Sequence, residues 1–255
     1  MPEFIGLIDF TDLLLAFLIA CVAGLIKGMV GFAMPMILVS GLGTFLAPEL
    51  ALAGLILPTL VTNGMQALRQ GATAAWQSVS RFRVFLGVGL VLLLASAQLV
   101  RVLPAHAMLL IIGVPISIFA LLQLAGWQLR ISKPSLRIEA TIGAVAGFVG
   151  GLSGVWGPPT VAYLTALNTP KAEQMRVQGV IYGLGAVALT LAHIGSGILT
   201  AKTAVFSAAL VPTAVFGMWI GGRLQNRTDQ AMFRKITLAV LLVAGVNLVR
   251  RGLTI

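Results

Sequence analysis

The chain has few charged residues and almost no cysteine. Only 9% of its 255 residues are charged, whereas 58% are hydrophobic, and the mean hydropathy is +1.02. The chain has too few polar residues to cover the surface of a soluble globular protein of this length. We therefore predict an integral membrane protein. The single cysteine, Cys21, excludes an intramolecular disulfide and a cysteine-based metal framework.

The apolar runs are long and weakly interrupted, as in Met108–Leu124 and Ile236–Val249. This pattern fits membrane-spanning helices better than the alternating ten-residue strands of an outer-membrane barrel. We therefore predict an all-α helical bundle. The net charge of +10 would suggest a polyanion partner in a soluble protein. Here the Lys and Arg residues lie between the apolar runs, where they set orientation, so no nucleic-acid partner is expected.

The sequence also lacks the usual catalytic arrangements. It has no HExxH motif, no Walker loop and no paired carboxylates within the apolar runs, and its histidines are His106 and His193 alone. We therefore predict that the protein is not an enzyme and needs no cofactor or metal ion. A secondary carrier is a simpler reading than an ATP-driven pump.

Two stretches 123 residues apart, Ala23–Met36 and Ala146–Pro159, are closely similar. The matched positions include Gly24 with Gly147, Gly28 with Gly151, Gly31 with Gly154 and Pro35 with Pro158. A Gly/Pro break that recurs in each half of a membrane chain points to a transporter's binding site, because lipid cannot satisfy the exposed backbone groups. The alternative is that the glycines only let helices pack closely, since they have small-xxx-small spacing.

Apolar runs and breaks divide the chain into two repeats, each an interrupted hairpin segment followed by three spans. The first repeat is 1–126, with a hairpin at about 13–46 and spans at about 50–68, 82–100 and 107–126. After a cytoplasmic linker at 127–137, the second repeat is 138–255, with a hairpin at about 138–167 and spans at about 176–195, 203–222 and 231–249. The interrupted segments are too short for two full spans, so we expect two short helices that return to the side of entry.

The distribution of Lys and Arg supports this threading. It places twelve of them inside, Arg69, Arg81, Arg83, Arg130, Lys133, Arg137, Lys171, Arg176, Arg223, Arg227, Arg234 and Lys235, and four outside, Arg101, Lys202, Arg250 and Arg251. Each repeat then crosses the membrane three times, so the two repeats have inverted topology. Both termini are predicted to lie outside a bacterial-type inner membrane.

Lys27 is the basic residue that lies well inside an apolar segment. An intramembrane cation costs several kcal/mol unless it is paired, and no acid in the predicted spans is an obvious partner. An anionic substrate would supply the missing charge, and the helices that begin at Pro35 and Pro158 would direct N–H groups and positive dipole ends towards it at the midplane. The alternative is that Lys27 extends to the interface, as long charged side chains often do.

Polar residues near the breaks and on the spans that follow them complete the candidate site. The predicted substrate-binding residues are Lys27, Gly28, Gly31, Phe32, Pro35, Asn63, Ser153, Gly154, Trp156, Pro158, Gln178 and Tyr182. Thr59, Thr62 or Asn63, and Gln66 recur at helical spacing on the span after the first hairpin, and Gln178 and Tyr182 do so on the span after the second, so each set marks one helical face. These residues are equally well explained as hydrogen-bond partners between helices. His193 is a candidate proton relay, although a structural histidine explains it as well.

The paired Gly/Pro elements and the hydropathy of the whole chain resemble the TauE/SafE family of sulfite and organosulfonate exporters. The resemblance implies a secondary transporter that exports sulfite, sulfoacetate or other sulfonates. An anion channel, and an uptake carrier for another small organic anion such as a carboxylate, are the alternatives. The expected partners are a small anion and the lipid bilayer, and a coupling proton and a homo-oligomer are left open.

Overall fold

A computed structural model of the chain describes residues 8–97, 105–127, 131, 135–153, 157–195 and 197–254. These residues form helices and short connections, with no β-strand among them. The helices are α1 Phe10–Val30, α2 Met34–Leu42, α3 Pro48–Leu68, α4 Ala72–Arg81, α5 Arg83–Ala97, α6 Ala105–Leu124, α7 Leu136–Ser153, α8 Gly157–Ala166, α9 Lys171–Gly195, α10 Ala201–Arg227 and α11 Gln230–Thr254.

Among the described residues, five helical stretches are long and apolar enough to cross a membrane. They are Phe10–Val30, Glu49–Leu68, Lys171–Gly195, Ala201–Arg227 and Gln230–Thr254. A bent pair made of α4 and α5 gives a sixth candidate span. The prediction of an all-α membrane protein is confirmed.

The segment around the predicted span 82–100 differs from a single straight helix. α4 precedes it and meets α5 at a bend of 72°. α4 has 10 residues, is amphipathic and is too polar to form a span by itself. The last residues of the predicted span, 98–100, lie outside the described part of the chain.

The chain divides into two compact units. The first unit is Met1–Arg69 with Gly179–Thr228, and the second is Gln70–Gln178 with Asp229–Ile255. Each unit therefore combines parts of both predicted repeats, and α9 contributes residues to both. The division into repeats at 127–137 stays a prediction.

In the first unit, α1 packs closely on α10, because glycines remove the side chains between them. A Cβ atom on Gly24 would lie 2.1 Å from the Ala214 carbonyl oxygen, and one on Gly217 would lie 2.0 Å from the Cys21 carbonyl oxygen. Both distances are far below van der Waals contact. The packing explanation of the duplicated glycines is therefore correct for Gly24.

In the second unit, α7 packs on α5 in the same way. A Cβ atom on Gly147 would lie 2.0 Å from the Gly89 carbonyl oxygen, and one on Gly143 would lie 2.7 Å from the Phe85 carbonyl oxygen. Gly147 is the residue that matches Gly24 in the duplicated stretches. The two matched glycines thus have the same role, each in its own unit.

Each interrupted segment folds back on itself. A Cβ atom on Gly41 in α2 would lie 2.8 Å from Cγ2 of Ile19 in α1, so α2 runs back along α1. In the second unit, the Ile131 N–H donates to the Ala166 carbonyl at 2.9 Å, so the end of α8 lies beside residues that precede α7. The first hairpin has unequal arms, because α1 has 21 residues and α2 has nine.

Candidate functional site

The first break is a sharp turn of the backbone between α1 and α2. Gly31 ends α1 in the left-handed region at φ 87°, and its N–H donates to the Lys27 carbonyl at 2.7 Å. Ala33 is also left-handed, at φ 74°, a conformation that costs a non-glycine residue about 1–2 kcal/mol. Pro35 lies in the first turn of α2, where its missing N–H breaks no helical bond. The broken helix is therefore present at the Gly/Pro element.

Lys27 lies in the last turn of α1 and is only 1% exposed, so it does not extend to the surface. Its Nζ donates a hydrogen bond to Oδ1 of Asn63 on α3. No carboxylate pairs with Lys27 among the residues that the structure describes. The Lys27 ammonium group is therefore hydrogen-bonded to a neutral amide.

Asn63 connects Lys27 to α9. Its Nδ2 donates to the backbone carbonyl of Tyr182 at 3.2 Å, and both residues are buried. The two partners fix the orientation of the amide, because an ammonium group only donates and a carbonyl only accepts. The Asn63 oxygen must therefore point to Lys27 and its nitrogen to Tyr182.

Gln66 lies one turn after Asn63 and contacts the break itself. Its Nε2 donates to the Gly31 carbonyl at 3.1 Å, which satisfies one of the carbonyls that the end of α1 leaves free. α9 comes very close to α3 here, because a Cβ atom on Gly179 would lie 2.4 Å from the Ala67 nitrogen. This close approach brings the Tyr182 carbonyl within reach of Asn63.

These contacts define the Lys27 cluster, which consists of Lys27, Gly31, Asn63, Gln66 and Tyr182. It contains otherwise neutral hydrogen-bonding groups and one cation, Lys27, which is the group suited to binding an anion. Asn63 is six residues before Arg69 (69 − 63), the C-cap of α3, so the cluster lies about 9 Å from that end of the helix. It therefore lies in the C-terminal half of α3.

Gly28, a predicted substrate-binding residue, packs on α10. A Cβ atom there would lie 2.2 Å from the Met218 carbonyl oxygen and 2.8 Å from the Gly222 nitrogen. The position needs glycine for helix contact, which is the packing role that the small-xxx-small spacing suggests. Phe32 is buried in the break, and Pro35 is half-buried.

The predicted residues of the second break belong to the second unit. Ser153 ends α7, and Pro158 is buried in the first turn of α8. Gly154 and Trp156 lie outside the described residues.

Gln178 is a predicted substrate-binding residue of the second unit whose amide group is buried and unpaired in the described part of the chain. It is 0% exposed, and neither its Oε1 nor its Nε2 has a hydrogen-bond partner among the described residues. Gln174, one turn earlier on α9, likewise has a buried Nε2 without a partner in this part of the chain. Buried polar groups are nearly always satisfied, so these amides are candidates for contact with water or a ligand.

The sequence did not single out Gln174 or Gly179, and it gave Gln66 only as one of several polar residues at helical spacing. The recurrence of Asn63 and Gln66 on one helical face was the available signal for Gln66. The close approach at Gly179 depends on tertiary packing and has no local signal. The described residues contain no group of three or more His, Cys, Asp or Glu side chains that could hold a metal ion.

No curated protein and no solved structure matches the chain. The family model for the sulfite exporter TauE/SafE matches residues 16–248, which is nearly the whole chain. Members of this family are membrane transporters of sulfite or related anions, in keeping with the apolar helices and the buried cation. The protein therefore belongs to the sulfite exporter TauE/SafE family and is a multi-pass membrane transporter.

Proposed function

We propose that the protein is a secondary transporter that exports small sulfur-containing anions, namely sulfite, sulfoacetate or other organosulfonates, and that the anion binds at Lys27. The observation that carries the proposal is the buried Lys27, whose described partner is the neutral amide of Asn63. Removing a charge from water costs several kcal/mol unless an opposite charge compensates it. A bound oxyanion supplies that charge.

The donor groups of the site suit an oxyanion. The Lys27 ammonium has three N–H donors, and its bond to Asn63 uses one of them. α2 begins beside the break, and no side chain caps its first turn. The positive end of its dipole and its free N–H groups favour a negative ligand there.

We propose the amide of Gln178 as a further substrate contact, in the second unit. An unpaired buried amide costs about 1–3 kcal/mol, and a ligand that accepts from Nε2 would recover part of it. The matching proposals at Ser153, Gly154, Trp156 and Pro158 rest on the duplicated Gly/Pro element alone.

The membrane potential is the proposed driving force. A cell that is negative inside favours the exit of each elementary negative charge by about 2.3 kcal/mol per 100 mV. We further propose that both termini lie outside, and contacts within each unit fit the threading that this orientation requires. Arg69 donates to Asn226 at 2.9 Å in the first unit, and Arg81 pairs with Glu173 at 3.7 Å in the second, so helix ends that we expect to be cytoplasmic lie together.

The experiment is a flux assay in proteoliposomes with a panel of sulfite, sulfate, thiosulfate, short sulfonates and carboxylates. We expect sulfite or a sulfonate to move faster than the carboxylates, and an imposed potential to accelerate its movement towards the positive side. A pH gradient at fixed potential tests for a coupled proton. Flux of carboxylates alone would overturn the proposed substrate class. Single-channel currents would show that the protein is a channel and not a carrier.

Orientation needs a separate measurement. We expect a cysteine placed after Thr254, in a Cys21→Ser background, to react with a membrane-impermeant thiol reagent added outside the cell. A cysteine in place of Ser80, at the exposed end of α4, serves as the cytoplasmic control. Labelling of the Ser80 position but not of the C-terminal one would contradict the proposed orientation.

A further inference from the structure

Asn63 offers the wrong kind of atom to bind an anion. Its Nδ2 donates to the Tyr182 carbonyl, and its Oδ1 accepts from Lys27, so the oxygen is the atom that lies at the cation. A carbonyl oxygen repels an oxyanion instead of binding it. The role of Asn63 in this arrangement is therefore different from that of a substrate donor.

We propose that Asn63 is an internal stand-in for the substrate, whose side-chain oxygen occupies the place on Lys27 that an oxygen of the anion takes. The inference rests on the proposed anion site. When the anion binds, it displaces the Asn63 oxygen, so the two compete for the same ammonium group.

A neutral amide suits this role for an electrostatic reason. The Lys27–Asn63 bond joins a charge to a neutral amide, whereas a bond to an anion joins two opposite charges, whose attraction is stronger in a buried site of low dielectric. The Asn63 amide therefore stabilises the Lys27 ammonium group when no substrate is bound, and an anion can still displace it. A carboxylate at position 63 would form an ion pair with Lys27 that a substrate anion could not readily displace.

The helices α2 and α3 offer no acid near Asn63 that could take its place at Lys27. α2 carries no charged residue, and the acid of α3, Glu49, lies in its first turn, about 21 Å along the helix from Asn63. On α10, Arg223 is exposed and stacks on the Trp219 ring with its Cζ 3.7 Å from the ring centroid.

Displacement of Asn63 also gives binding a structural consequence. The Lys27–Asn63 bond joins α1 to α3, and the Asn63–Tyr182 bond joins α3 to α9. A ligand shifts a conformational equilibrium only through contacts that differ between the two states, and the Lys27–Asn63 bond is such a contact. Gln66 is not a competitor, because it donates to Gly31 and does not accept from Lys27.

The test compares Asn63→Asp and Asn63→Ala in detergent solution, with anion binding measured by calorimetry and by the thermal shift that sulfite or sulfoacetate produces. We expect Asn63→Asp to weaken binding about 100-fold or more, because its carboxylate pairs with Lys27, and to raise the melting temperature of the ligand-free protein. We expect Asn63→Ala to bind about fivefold more tightly, because the competitor is gone.

Asn63→Leu, whose side chain has the same branching of heavy atoms, repeats the removal of the amide if Asn63→Ala folds poorly. Size-exclusion chromatography reports folding. Asn247→Ala, at the half-buried partner of Arg250, is the matched control and should bind like the wild type. Weaker binding by folded Asn63→Ala or Asn63→Leu would overturn the inference, because Asn63 would then be a donor to the anion. Unchanged binding by Asn63→Asp would overturn it as well. If the wild type binds no anion from the panel, the proposed function itself fails.

Discussion

The two duplicated elements share their packing but not their charge. Gly24 in α1 and Gly147 in α7 are matched in sequence, and each lies against the backbone of a partner helix. Lys27 has no such counterpart, because the matching residue in the second element is the buried Gly150. The difference teaches that the two elements share a glycine that lets helices pack closely, whereas a buried cation occurs in the first element alone.

The shared packing is expected to give the largest effects on stability. Gly24→Ala and Gly147→Ala each place a Cβ atom within about 2 Å of a backbone carbonyl, so each should lower the free energy of unfolding by about 1–3 kcal/mol. Thermal unfolding in detergent measures the loss. Gly87→Ala, where nothing lies within 4 Å, is the control and should not destabilise. A large loss at only one of the two matched positions would break the comparison.

A smaller effect, on flux, is expected where helix packing supports the Lys27 cluster. Gly179→Ala must push α9 away from α3, because its Cβ would lie 2.4 Å from the Ala67 nitrogen, and this separates the Tyr182 carbonyl from Asn63. We expect sulfite flux to fall about tenfold.

Gly183→Ala, one turn further along α9, is the control for this change, since its nearest neighbours lie at 3.9 Å. Equal flux in the two variants would show that the Lys27 cluster does not depend on the approach of α9 to α3.

The smallest effect on flux is expected at the Gln178 amide of the second unit. Gln178→Leu removes an unpaired buried amide, so stability should stay the same or rise by about 1 kcal/mol, while flux should fall about fivefold if the amide contacts the substrate. Gln77→Leu, at an exposed position of α4, controls for the loss of an amide. Wild-type flux in Gln178→Leu would remove Gln178 from the proposed site and sharpen the difference between the two units.

Much of the fold could be predicted because a bilayer demands long apolar helices and because Gly and Pro mark where a helix stops. α4 was missed, since its polar residues lower the hydropathy of 72–81 below that of a span. The unequal arms of the first hairpin were also missed. Gly28 looked like part of the break, yet α1 continues through it because that glycine serves the contact with α10.

The site was only partly predictable. Lys27 stood out by its charge alone, and Asn63 by its place on a polar helical face. Their hydrogen bond joins residues 36 positions apart, so only the packing of α1 against α3 reveals it. The direction of the Asn63 amide, on which its proposed role depends, follows from the Tyr182 carbonyl of a third helix.

The central claim, that Lys27 supplies the charge that binds the transported anion, is tested most directly by sulfite flux in proteoliposomes containing Lys27→Gln. The exposed Lys202→Gln is the matched control. The account predicts that Lys27→Gln loses flux about 100-fold or more while its incorporation into membranes and that of the control are normal. Wild-type flux in a correctly incorporated Lys27→Gln variant would contradict it.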